Sequence, residues 1–162
     1  ELMLEFEKVL EDESFGYVSK IIENSKSMLK AIVNKDVKII EEILHDIHNS
    51  EIPILQYNDE NSLSCVLTLA YLSARDNYRV EREEKTGKGY ADFTFHPRRK
   101  NDTAFIVELK KDEKPEIALK QIRSKEYVEK FKRENMGKKI LAVAICYDSK
   151  EKEHHCLIEE ID

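Results

Sequence analysis

Two carboxylates and a lysine are the residues in this chain whose types and spacing suit them best to chemistry. Asp92 ends the run Gly89-Tyr90-Ala91-Asp92, and Glu108 and Lys110 lie in the run Ile106-Val107-Glu108-Leu109-Lys110. Both runs read as extended chain, in which alternate side chains share a face. Glu108 and Lys110 therefore point one way and Leu109 the other. If the two runs form a hairpin with its tip near residues 99–101, Asp92 falls about opposite Glu108. Two carboxylates and an ammonium would then share one small patch. Such a patch could seat a hard divalent cation and an activated water.

The surrounding elements follow from periodicity. Residues 4–12 and 15–34 have helical apolar spacing, and Asn34-Lys35-Asp36 reads as a turn. Asp36 can cap the next helix, on which Val37, Ile40, Leu44 and Ile47 form an amphipathic stripe. Asn49-Ser50 and Pro53 stop it, and 51–58 reads as a connector. Asp59 can cap a stronger helix to about residue 75, with Leu63, Val66, Leu67, Ala70, Tyr71 and Ala74 on one face. Glu60 continues that face at its first turn. A carboxylate there commonly serves only the helix dipole, but its place on the core-facing stripe makes it a candidate for the site.

After Asp76-Asn77 the period changes to two. Strands are predicted over 78–84, 90–96 and 103–111, followed by a helix from Pro115 to about Glu134. Residues 139–147 form a near-continuous apolar strand suited to burial on both faces. Cys156–Ile161 reads as a last edge strand. The fold class is thus α/β, with a mixed central sheet of four to five strands, a helix-strand-strand-strand-helix-strand core and an N-terminal helical extension. Residues 1–52 read as that extension, or as the tail of a preceding domain, and 57–162 as the domain carrying the site.

Composition sets bounds. A chain of 162 residues is one ordinary domain able to bury about two thirds of its unfolded surface. No apolar run approaches the ~20 residues of a membrane span. The chain begins with Glu rather than Met, as a piece of a longer protein would. Three cysteines, Cys65, Cys146 and Cys156, are odd in number and never close together, so they read as reduced thiols of a cytoplasmic protein. The net charge of −6 argues against indiscriminate nucleic-acid binding. Residues 79–139, however, hold 18 basic and 12 acidic side chains, and this positive excess surrounds the candidate site. Charge alone favours a solvated lysine-rich surface, because the interspersed acids would weaken any phosphate footprint.

In this order and with these residues, the chain resembles the PD-(D/E)XK nuclease superfamily. Its signature is matched by Asp92 on the second strand and Glu108-Leu109-Lys110 on the third. The chain most resembles the bacterial subgroup that follows an AAA-ATPase-like domain. Glu81-Arg82-Glu83, Gly87, Gly89 and Ala91-Asp92 match that subgroup's first stretch, Ile106 to Lys110 its second, and Ala118-Leu119-Lys120-Gln121-Ile122 with Tyr127 its third. Ala91 stands where the superfamily name has proline, and Tyr90 stands where the subgroup is often basic. Neither position supplies a metal ligand.

The resemblance implies an Mg²⁺-dependent (or Mn²⁺-dependent) phosphodiester hydrolase acting on nucleic acid, DNA before RNA. It implies Asp92 and Glu108 as metal ligands, joined by the Leu109 carbonyl. Lys110 would orient or deprotonate the attacking water, and Glu60 would act through the metal's water shell or a second ion. Gln121 and Tyr127 would position substrate or water. Gln121 also stands out on a helical wheel, in one sector with Ile117, Val128 and Phe131. A core glutamine satisfied by backbone accounts for that placement as well as a site role does.

Other readings carry less. His45 and His48, and the run His154-His155-Cys156, resemble partial metal sites, but no complete ligand set with zinc-like spacing is present. They are expected to be surface histidines. No glycine-rich phosphate loop occurs, so this piece is not itself an ATPase. A non-catalytic recognition or regulatory module of an ATPase-like protein is the alternative, which the acidic net charge favours. A further alternative is that residues 1–50 mediate protein contacts.

Overall fold

The structure, a computed structural model, describes residues 13–49, 72–82, 93–124 and 126–161. Two helices come first, α1 (Glu13–Val33) and α2 (Val37–Asn49). Met28, Ala31 and Ile32 on α1 and Ile40, Ile43, Leu44 and Ile47 on α2 are buried at the three-and-four spacing of one helical face. Between the helices Lys35 takes φ +57°. This left-handed residue lets the Asp36 N–H reach the Ala31 carbonyl at 2.8 Å, closing α1. Asp36 then caps α2 as predicted, its Oδ1 accepting the Ile39 N–H at 3.4 Å.

Five strands form one sheet in the order β1-β2-β3-β4-β5: β1 (Tyr78–Arg82), β2 (Phe93–Pro97), β3 (Ala104–Lys111), β4 (Ile140–Asp148) and β5 (Glu153–Ile161). The pairs β1–β2, β2–β3 and β4–β5 are antiparallel, and β3–β4 is parallel. The mixed sheet and its three-strand meander are those predicted. A short 3-10 turn (Leu72–Asp76) leads into β1. The helix predicted from Asp59 to about residue 75 lies outside the described residues as far as residue 71, and its predicted end is this 3-10 turn; the helix predicted over 4–12 and the turn through Gly87 and Gly89 also lie outside the described residues.

The helix predicted as continuous over 115–134 is two helices, α3 (Pro115–Arg123) and α4 (Glu126–Glu134). Pro115 opens α3, and Ser124 ends it, donating through Oγ to the Gln121 carbonyl at 3.0 Å. No proline or glycine forces the break; packing does. At about 100° per residue, the buried Ala118, Leu119 and Ile122 would lie roughly 160° from the buried Val128 and Phe131 on one straight helix. Breaking the helix lets both sets enter the same core cluster.

Each face of the sheet has its own core. Phe105, Val107 and Leu109 of β3 and Leu141, Val143 and Ile145 of β4 pack with Met28, Ile32, Ile40 and Leu44. The N-terminal helices expected as an extension therefore cover one face of the sheet. Ala104 and Ile106 of β3 and Ala142, Ala144 and Cys146 of β4 pack with α3 and α4 on the other. With both faces covered, β4 is buried along nearly its whole length, as its apolar run predicts. Among the described residues no helix is long and apolar enough to cross a membrane.

Candidate active site on strand β3

Alternation along β3 decides where the candidate residues point. Ala104 and Ile106 face α3 and α4, so Glu108 and Lys110 continue that same row. Leu109, fully buried, turns to the opposite core, as predicted. Only its backbone carbonyl can then serve a site on the Glu108 face. β3 is also the strand at which the sheet changes from antiparallel to parallel pairing.

Glu108 is 1% exposed, and its Oε1 lies 3.4 Å from Nζ of Lys110, whose side chain is 13% exposed. A carboxylate this deeply buried needs a close positive partner, because moving an ion out of water costs several kcal/mol. Lys110 meets that need from two residues along the same strand. In register beside this pair, Ala144 neighbours Glu108 and Cys146 neighbours Lys110.

Cys146 is fully buried, and burial pushes its thiol up to about 12. Glu113 adds to that rise, as do Glu116 and Glu108, while Lys110 opposes it. The thiol is therefore protonated at neutral pH in the metal-free protein. The Glu108 carboxylate on this face is an oxygen donor of the kind that suits a hard divalent ion such as Mg²⁺ or Mn²⁺. Glu113 and Glu116, at the start of α3, bring further negative charge to this face. Sequence reading missed them, and their only signal was a pair of acids flanking Pro115 at a helix start.

The β2–β3 ladder pairs Phe93 with Val107, Thr94 with Ile106 and Phe95 with Phe105. This is the register expected from a hairpin tip near residue 100. Asp92 and Glu60 lie outside the described residues, and nothing of their placement enters here. Thr94 is on the Glu108 face by the same alternation and is 4% exposed, with no hydrogen-bond partner for its hydroxyl among the described residues. It too was missed, since a threonine in a strand is ordinary.

Gln121 is placed differently from the wheel reading. It is half-buried on α3, and Ile117, which shares its sector, is 44% exposed. The face of α3 turned to the sheet carries Ala118, Leu119 and Ile122, so Gln121 sits at its flank. The break after Arg123 is the reason, because it removes Val128 and Phe131 from the Gln121 sector. The histidines also differ from expectation. His45 is exposed, but His154 is 4% exposed with its ring 5.0 Å from that of Tyr147. Glu151, Glu153 and His155 bring ligand atoms within 4.8 Å of one another at the β4–β5 turn. The two acids there are exposed, an ordinary condition for a surface hairpin.

At the far end of the same face, His96 is 7% exposed and accepts at Nδ1 from Asn135 Nδ2 at 3.1 Å. Burial holds its ring below the ordinary histidine range, and Arg79 adds to that effect. Glu81 and Glu134, at 3.8 and 3.6 Å, oppose it. A neutral ring with its proton on Nε2 matches the Asn135 contact.

A family model described as the PD-(D/E)XK nuclease superfamily matches residues 58–155. No curated protein and no solved structure matches the chain.

Proposed function

Because the chain belongs to the PD-(D/E)XK nuclease superfamily, we propose that it hydrolyses phosphodiester bonds of DNA or RNA at the Glu108 face of β3, with Mg²⁺ or Mn²⁺ as cofactor. One observation carries this reading: within the matched region, a buried carboxylate and an ammonium sit 3.4 Å apart on a single strand face. In this proposal Asp92 and Glu108 hold the ion with the Leu109 carbonyl. A bound divalent ion supplies a polarised phosphate and a water of lowered pKa.

The protein's own groups do the rest. Lys110 Nζ orients the attacking water, takes its proton or offsets charge on the phosphate. The surrounding apolar cluster limits water around Glu108, so each charge there acts in a low dielectric. Glu60 acts through the metal's water shell or a second ion, and Gln121 and Tyr127 position substrate or water. The basic excess over residues 79–139 supports a polyanionic substrate. The resemblance extends the proposal to a bacterial, cytoplasmic protein in which an ATPase-like domain precedes this one.

The net charge of −6 favours a second reading, a recognition module that keeps the fold without cleavage. Labelled single- and double-stranded DNA and RNA, incubated with the protein and Mg²⁺ or Mn²⁺, separate the two. Metal-dependent cleavage that disappears in both Asp92→Ala and Glu108→Gln supports the hydrolase. Binding without cleavage, unchanged by either substitution, supports the module.

A further inference from the structure

A second site lies away from the Glu108 face, on the side of the sheet covered by α1. A cleft of about 580 Å³ opens there between the end of α1, the start of β1 and the β2–β3 turn. Its size is in the range of pockets that hold small molecules. Lys26, Lys30 and Arg99 line it together with Asp76 and Asp102. Lys26 and Lys30 are one helical turn apart, so their ammonium groups can converge on one anion. Among the described residues none of these three cations is held in an ion pair. The basic residues nearby behave otherwise: Lys35 and Lys139 both reach Glu160.

The remaining walls are of a second kind. Leu29 and Val33 supply aliphatic surface, and Tyr78 contributes from the buried end of β1. The ring of Tyr78 is locked edge-on against Phe95 and Phe105, with centroids 6.1 and 5.4 Å away. Burial first, and then Asp102, push its hydroxyl up to about 12, so it remains a donor at neutral pH. The cleft thus offers cations, carboxylate acceptors and apolar surface together. A bare inorganic anion would use the cations and be repelled by Asp76 and Asp102. An apolar ligand would leave all five charges unanswered.

We propose that this cleft binds a nucleotide unit, with its phosphate on Lys26, Lys30 and Arg99, its ribose or base donors on Asp76 and Asp102, and its base against Leu29 and Val33. The unit can be a free nucleotide or one residue of a nucleic-acid strand, since both present the same groups. The site is separate from the Glu108 face, and the inference does not rest on the hydrolase reading.

Titration calorimetry of the full chain in EDTA, with AMP and with inorganic phosphate, tests it without any cleavage. AMP should bind at least tenfold more tightly than phosphate. Lys30→Glu with Arg99→Glu should weaken AMP at least tenfold. Asp102→Asn should weaken AMP several-fold while leaving phosphate unchanged or tighter. The residues reversed are exposed on the surface, and Lys30→Gln with Arg99→Gln gives the same direction at smaller size. A labelled oligonucleotide followed by anisotropy distinguishes the sources. If it shows the same loss in the reversed variant, the bound unit belongs to a strand; if only AMP does, it is a free nucleotide. If phosphate binds as well as AMP, or if charge reversal leaves both AMP and oligonucleotide within twofold of wild type, the proposal is overturned. Either failure leaves the Asp92 and Glu108 cleavage test untouched.

Discussion

Replacing Lys110 with methionine should destabilise the protein far more than replacing Glu108 with glutamine, and the difference follows from burial. Lys110→Met keeps most of the apolar stem and removes the ammonium 3.4 Å from Glu108 Oε1. At that distance an effective dielectric near 20 gives an attraction of about 5 kcal/mol. The carboxylate is 1% exposed and cannot recover this by hydration. Removing one partner of such a pair costs about 3 to 5 kcal/mol. For a chain of this size that is a fall in Tm of roughly 10 °C. Glu108→Gln instead removes the buried charge itself and leaves Lys110, 13% exposed, closer to water. Its cost should be about 1 kcal/mol, close to that of one net hydrogen bond. The double variant should then be more stable than Lys110→Met alone, with a coupling of at least about 2 kcal/mol. Urea unfolding of the four proteins at neutral pH, in EDTA, measures this cycle. A coupling below about 0.5 kcal/mol would mean that the pair is solvated, and the burial argument for the site would fail with it.

Three further outcomes follow from other parts of the structure. Lys110→Arg should keep nucleic-acid binding but lose most of the single-turnover cleavage rate, because a planar guanidinium cannot take the compact ammonium's place; equal losses in both would reduce Lys110 to an electrostatic anchor. His96 titrates below its unfolded value, so the unfolded chain takes up its proton first, and stability is lost as pH falls from about 6.5 through the folded pKa, by up to about 1.4 kcal/mol per pH unit. His96→Gln should flatten that slope between pH 7 and 5, and unfolding midpoints that fall in parallel for the two proteins would refute it. Asp36→Ala removes the cap on α2, whose bond is long at 3.4 Å, and should cost about 0.5 to 1 kcal/mol by urea unfolding; no change would show that the cap contributes nothing.

How much of this was legible beforehand depended on the kind of signal each residue carries. The β2–β3 register came from the turn: with a tip near residue 100, Phe93 must meet Val107, and it does. Binary alternation would not have found it, since β2 is buried along its whole length. The side-chain directions of Glu108, Leu109 and Lys110 came from strand period alone, and they hold because both faces of β3 are covered. What escaped was whatever depended on a neighbour distant in sequence. The α3–α4 break has no proline or glycine to announce it; it exists because Phe131 and Ile122 must reach one cluster from opposite sides of a wheel. That one break also moved Gln121 from an apolar stripe to the edge of its helix.

The same dependence explains the buried polar residues. His96 is a histidine in a polar-looking run, and its buried ring is answered by Asn135, 39 positions later, which donates to Nδ1. Glu108 differs because its answering charge is local, two residues along the same strand. A carboxylate whose counter-ion is fixed by strand period can be recognised from sequence, provided that the strand is. In the proposed hydrolase the chemistry would then sit on β3 itself, in a sheet anchored by cores on both sides. The helices α3 and α4 then shape what reaches the carboxylate without having to create it. Substitutions in α3 that keep Ala118, Leu119 and Ile122 should therefore alter substrate access before they disturb the Glu108–Lys110 pair.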